Sequence, residues 1–185
     1  FSKKKNGKWT APIRMDAPIN VEGHDACLYV SPDSKSMIIY RTEYDSDLDG
    51  SIYETHLENN RWTKPVALND EINFPDAETK QPAISPGGDT LYFASNRPGG
   101  FGQFDIWMSI DRGNNEWSAP VNAGRVINTK ANEMAPCITD VRSMLFFSSD
   151  GHPGYGGYDL FASRRSTKGD TVLYNLNFPF NSVKD

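Results

Sequence analysis

Between Lys80 and Asn122 apolar and polar residues alternate in four short bursts, "KQPAIS", "DTLYFAS", "FDIWMSI" and "EWSAPVN". Alternation with a period of two, bounded by turn formers, predicts β-strands rather than helices. Three of the connections are tight: "PGG" at 86–88, the glycine loop that begins at Arg97, and "DRGNN" at 111–115. Links this short join antiparallel neighbours. A longer stretch, "AGRVINTKANE" at 123–133, then carries the chain onward.

The same pattern recurs along the whole chain. "WTAP" begins at Trp9, "WTKP" at Trp62 and "WSAP" at Trp117, in steps of 53 and 55 residues. Ile19-Asn20, Ile72-Asn73 and Ile127-Asn128 follow in step, and "SIY", "DIW" and "DLF" begin at Ser51, Asp105 and Asp159. Four antiparallel strands repeated at a fixed period of about 54 residues describe an all-β fold of β-propeller blades. The expected layout is an outer strand and connector of a preceding blade at 1–20, then blades at 21–68, 69–122 and 123–175. A connector to a missing blade follows at 176–185. The chain thus holds three complete blades of a larger propeller, and its first residues read as a cut inside a longer chain. The fourth strand of each blade is the outer edge, where Pro120 removes no ladder hydrogen bond. Trp62 and Trp117 are expected to anchor the packing of one blade on the next.

The stretch "RPGGFGQFDIW" at 97–107 has the glycines and arginine of a phosphate-binding loop. Such a loop needs a helix after it, and here another strand follows. Its counterpart one period later is "HPGYGGYDLF" at 152–161. A turn must recur in every repeat and a phosphate site need not, so the loops read as hairpins. Gly102 and Gly156 are expected to supply φ > 0 in them.

The formal charge of −5 argues against a nucleic-acid partner, which calls for clustered Lys and Arg. No apolar run approaches the roughly 20 residues that span a bilayer. Cys27 and Cys137 stand alone in apolar runs, so they read as small core residues and not as a disulfide framework or metal site.

Little in the chain suggests catalysis. There is no "G-x-S-x-G", and His24, His56 and His152 occupy three different places in the repeat. Two polar groups carry more weight. The acidic hairpin "DSDLDG" spaces Asp45, Asp47 and Asp49 as a calcium loop does, although His56 stands where such a loop places its glutamate. The alternatives are a calcium site, the one cofactor to consider, and a solvated acidic turn. Asp25, Glu78 and Glu133 each stand just ahead of an innermost strand. They are either caps of their connectors or a ring of carboxylates at one mouth of the propeller, placed to receive a cationic group of a partner.

Taken together, "PAISPGGDTLYFASNRPGGFGQFDIW", "WSAPVN" and "SSDGHPGYGGYDLF" resemble the PD40, or WD40-like, repeats of TolB-type propellers. The longer pattern resembles that of Bacteroidota cell-envelope proteins, PorE-like, in which the propeller often lies between tetratricopeptide repeats and an OmpA-like domain. The first repeat departs from it, with Ser51 in place of the aspartate and no "SNR" motif. The third has "TDVRSM" where a Ser-Pro-Asp-Gly turn is usual. The resemblance implies a non-catalytic interaction module in the periplasm or at the outer membrane. Its partner would be a protein of an envelope complex, such as a type IX secretion assembly, and peptidoglycan would be bound through a domain outside this chain. The alternatives are the substrate-gating propeller of an exported serine peptidase and a glycan-binding propeller.

Overall fold

A computed structural model describes residues 1–42, 50–114, 116–140, 143–166 and 168–183. These residues contain strands and turns and no α-helix. A small hairpin pairs β1 (Lys4–Lys5) with β2 (Lys8–Trp9). Three antiparallel sheets follow, each built in sequence order. The first contains β3 (His24–Val30), β4 (Ser36–Thr42) and β5 (Ser51–Glu58), with β6 (Arg61–Trp62) and β7 (Val66–Ala67) both on β5. The second runs β8 (Thr79–Ile84), β9 (Thr90–Ser95), β10 (Asp105–Ile110) and β11 (Val121–Asn122). The third runs β12 (Glu133–Ile138), β13 (Leu145–Ser149), β14 (Asp159–Arg165) and β15 (Thr171–Asn175).

Proline decides where the outer strand survives. Pro65 falls between β6 and β7, so the fourth strand of the first sheet is two fragments. In the second sheet only β11 and a single bridge between Asp111 and Trp117 remain of "EWSAPVN", with Pro120 between them. The third repeat has no proline there, and β15 is continuous. A missing N–H interrupts a ladder, and an outer edge tolerates the gap. Innermost strands show the same chemistry. Their ladders break at a bulge between Lys80 and Ala83 and again between Met134 and Cys137, around Pro82 and Pro136. Gln81 and Ala135, just ahead of those prolines, adopt φ of 53° and 51°. The first sheet, with Leu28 in that place, skips one residue only, between Cys27 and Tyr29.

The sheets stand face to face around their first strands, with β3 against β8 and β8 against β12. Across this inner edge the Ala135 N–H donates to Gln81 Oε1 at 2.8 Å. The core lies between sheets. Ile38 and Ile52 of the first sheet meet Leu91, Phe93, Trp107 and Trp117 of the second, with Leu68 and Ile72 of the connector wedged between. Ala94, Ile106 and Ile127 meet Leu145, Phe147 and Phe161 in the same way. Because β9 alternates, Phe93 packs backward onto the first sheet while Tyr92 packs forward against the third. Full burial of a side chain such as Phe93 is worth about 1.5–3 kcal/mol. Trp117 sits in the junction between the first two sheets, and Trp62 packs on Met37 and Ile39 beside Met15 and Ile19.

Two expectations need correction. Cys27 and Cys137 are exposed free thiols. They lie on the innermost strands, which have a sheet neighbour on one side only, so an apolar run there does not imply burial. Gly102 is not in the left-handed region; Gly99 is, at φ 91°. What Gly102 provides is room, because a Cβ there would collide with the Ala131 carbonyl oxygen and lie 2.8 Å from that of Thr129. The loop is glycine-rich because it lies directly on the connector that leads to the next sheet.

Candidate functional site

Of the three acids expected ahead of the innermost strands, Asp25 and Glu133 lie within β3 and β12 and only Glu78 precedes its strand, so they do not stand in one equivalent position. Cross-strand pairing matches Asp25 with Arg41, Thr79 with Ser95 and Glu133 with Ser149. Thr79, not Glu78, is therefore the counterpart of the other two, and a shift of one residue sends a side chain to the other face. The Asp25 carboxylate accepts the Val21 N–H at 3.0 Å and pairs with Arg41 Nε at 2.5 Å. Glu133 is wholly buried, and its oxygens accept from the Thr129 N–H, the Thr129 hydroxyl and the Ser149 hydroxyl at 2.7–2.8 Å. Both carboxylates are turned into their own connectors, which is the geometry of a cap. Glu78 stands at the surface and pairs with Lys80.

Around these acids lies a device that the sequence did not reveal. In each repeat a side-chain donor from the end of the second strand, or just beyond it, reaches the carbonyl of the connector isoleucine. Arg41 donates to the carbonyls of Pro18 and Ile19, at 3.2 and 2.7 Å. Arg97 donates to those of Glu71 and Ile72 at 2.6 and 2.7 Å, and also to Thr79 Oγ1. His152 Nε2 lies 2.8 Å from the Ile127 carbonyl oxygen. Burial lowers the Arg97 pKa to about 10, with the Glu71 carboxylate opposing that shift. The Phe93 and Trp107 rings flank its guanidinium. Arg97 and His152 open the two Pro-Gly loops one period apart, whereas Arg41 belongs to no such motif, so only the fold shows its equivalence to them.

The asparagine after each isoleucine clamps the connector on its other side. Asn73 accepts the Ile52 N–H and donates to the Ile52 carbonyl, at 2.8 and 2.9 Å. Asn128 does the same to Ile106 and Asn181 to Leu160, at the same two distances. Each amide thus extends the sheet as a one-residue strand would. Asp105 and Asp159 complete the frame by accepting backbone N–H groups of the glycine loops, from Phe101 and Gly102 and from Tyr155 and Gly156.

Two open clefts flank these connectors one repeat apart, and they differ in charge. The first, about 520 Å³, is lined by Phe74, Asp76, Glu78 and Asn96. The second, about 640 Å³, is lined by Phe101, Arg125, Lys130 and His152. Of the histidines, His24 and His56 are exposed, while the His152 ring packs at a tilt of 49° on Phe161 with ring centroids 5.0 Å apart. Among the described residues no three His, Cys, Asp or Glu side chains gather as metal ligands. Asp45, Asp47 and Asp49 lie outside the described residues.

Successive antiparallel sheets that pack face to face, with their first strands gathered side by side, make this chain a set of β-propeller blades. Among solved structures, the crystal structure of TolB from Acinetobacter baumannii is similar, with a TM-score of 0.50 and 17% identity over 83% of this chain. The match covers 33% of that protein, so the chain spans about a third of its length. No family model matches the chain. No curated protein matches it.

Proposed function

We propose that these blades form a non-catalytic scaffold in a bacterial envelope protein and hold a protein partner at the connector rim. One observation carries the reading: Arg41, Arg97 and Glu133 hold connector backbone, whereas Asp76 and Glu78, the latter paired with Lys80, line an open cleft. Arg41, Arg97, His152, Asp25 and Glu133 each bond the backbone or a neighbouring side chain, which makes the rim rigid. Rigid rims with variable loops are where binding function sits. Asp76 and Glu78 together suit a Lys or Arg side chain of the partner, and Asp25 and Glu133 act behind them by fixing the connectors.

Likeness to a TolB propeller supports the scaffold reading at the level of fold, and the PD40-type motifs extend it to the periplasm or outer membrane. A type IX secretion assembly, and peptidoglycan bound through a neighbouring domain, are the settings those motifs favour. The test is native purification from the envelope fraction, followed by titration of the co-purifying protein at several salt concentrations. Asp76→Asn with Glu78→Gln should weaken binding and flatten its salt dependence, since rim charges act through screened attraction. Unchanged affinity and slope would overturn the site, and a chain found only in the cytosolic fraction would overturn the envelope setting.

A further inference from the structure

The outer strand of each sheet starts from the same pairing place. Leu57 pairs with Trp62, Asp111 with Trp117 and Arg165 with Thr171, so the third sheet holds a threonine where the first two hold a tryptophan. The two indoles close junctions. Trp62 packs on Met37 and Ile39, and Trp117, 6% exposed, fills the space between the first and second sheets. In the junction between the second and third sheets the connector is smaller as well. Ala123 and Gly124 take the backbone places of Leu68 and Asn69, and Asn69 is the residue whose amide donates to the Trp117 carbonyl in the first junction. The result is an open cleft of about 720 Å³, lined by Tyr92, Ala123, Ile127, Ile138, Leu145 and Thr171. That volume falls within the range of roughly 300–1,000 Å³ found for small-ligand sites.

The lining says what kind of group suits this space. Its apolar part includes Tyr92, which takes the place of Ile38 in the first sheet and so adds a ring suited to stacking. Burial pushes the Tyr92 phenol up, with Asp89 adding to the shift and Arg165 opposing it, so the hydroxyl stays neutral. Among the described residues the charged lining is balanced, Asp89 and Asp140 against Arg164 and Arg165. Asp89 is held by the Ser85 and Thr90 hydroxyls, and Arg164 donates to the Tyr174 hydroxyl. A lining without net charge gives little attraction to a phosphate or a cation and favours a neutral group. We propose that this cleft binds a small, uncharged aromatic ligand, whose ring takes the place between the second and third sheets that Trp117 takes between the first and second. A free ligand fits better than a peptide. Gly124 offers no side chain in place of the Asn69 amide that grips the main chain in the first junction. The cleft lies beside residues 85–89 and 139–140, which follow β8 and β12, at the ends of those strands away from the connectors. It is therefore separate from the partner contact at Asp76 and Glu78.

The experiment titrates indole into the methyl-labelled chain and follows it by NMR. The Ile127, Ile138 and Leu145 methyls should shift and saturate with a Kd of about 1 mM or tighter, while those of Ile52 and Leu68 beside Trp117 stay in place. Thr171→Trp should fill the cleft with the chain's own ring. Its melting temperature should rise without ligand, as cavity filling does, and its indole affinity should fall by about tenfold or more. Trp117→Thr should do the reverse in the first junction, lowering the melting temperature and making the Ile52 and Leu68 methyls respond to indole. Thr171→Leu, a smaller filler that should also weaken binding, keeps the test decisive where tryptophan prevents folding. Methyls that stay unmoved up to the solubility of indole would overturn the proposal, and so would equal shifts in both junctions or undiminished binding in a folded filler variant. Tighter binding of indole-3-acetate than of indole would overturn the neutral ligand. Tighter binding of a short peptide with one central tryptophan would show a partner's side chain to be the occupant and overturn the free one.

Discussion

Replacing Asn128 by alanine removes a side chain that does the work of a strand. Its amide accepts the Ile106 N–H and donates to the Ile106 carbonyl and to Asn122 Oδ1. Ile106 is fully buried, so neither of its backbone groups has water to turn to. A buried polar group left without a partner costs about 1–3 kcal/mol. The Ile106 carbonyl keeps the Ala123 N–H at 3.0 Å, so one group, the Ile106 N–H, is stranded. Asn128→Ala should therefore destabilise by about 2–3 kcal/mol, or about 4–12 °C in melting temperature for a chain of this size. Asn181 makes the same three kinds of bond but clamps Leu160, which is partly open to solvent. Water can replace the lost amide there, and Asn181→Ala should cost only about 1 kcal/mol. Urea unfolding of both variants, with slopes compared to confirm that the unfolded states match, gives the two numbers directly. Asn128→Asp keeps the acceptor for the Ile106 N–H but turns a carboxylate toward a carbonyl, so it should not rescue. Equal losses at the two positions, or less than about 1 kcal/mol at Asn128, would refute the idea that burial sets the value of the clamp.

Other outcomes follow from particular contacts. Gly102→Ala places a Cβ against the Ala131 carbonyl and should cost more than Gly88→Ala, where φ is 80° but nothing lies within 4 Å; thermal melts showing the reverse order would refute the close-approach account. Arg97→Lys keeps a charge but loses the fork that reaches the carbonyls of Glu71 and Ile72, so it should lower stability by about 2–3 kcal/mol; a neutral effect in urea would show that the carbonyls do not need it. The Ser85 and Thr90 hydroxyls hold the Asp89 carboxyl below the usual carboxylate range. Its contribution to stability is complete at neutral pH and is lost as pH falls through that lowered value. Ser85→Ala should move the Asp89 midpoint upward in an NMR titration, and an unmoved midpoint would discount the hydroxyl.

Periodicity in the sequence reaches as far as the positions it repeats. Trp62 and Trp117, the Ile-Asn pairs and Asp105 with Asp159 recur, and each holds the same station in every sheet where it occurs. The alternation of "TLYFA" shows that Tyr92 and Phe93 point to opposite sides, and both sides are packed. Partners that change identity between repeats are not visible in this way. Glu78 and Glu133 are the acids at the start of their innermost strands, yet Glu133 stands three residues before Pro136 and Glu78 four before Pro82, and pairing across β8 and β9 sets Thr79 in that place. Arg97 and His152 lie two and three residues beyond their strands at the head of the aligned glycine loops, whereas Arg41 lies within its strand, so no motif leads from it to them. The glycines mark a loop in the sequence, but Gly102 is needed because of a connector nearly thirty residues further along the chain at 129–131, which local turn chemistry does not include.

The connectors have a mechanical consequence. Those at 69–73 and 123–128 are each fastened twice, to the sheet behind by an asparagine and to the sheet ahead by an arginine or histidine, like a plate riveted along both edges. Neighbouring sheets therefore cannot slide or fan apart unless two sets of bonds shear together. Load applied at a rim loop spreads through the connectors rather than bending one sheet. Stretched between its ends, the chain should yield in whole-blade steps. A frame with that stiffness can hold two attached bodies at a fixed distance while one of them is pulled.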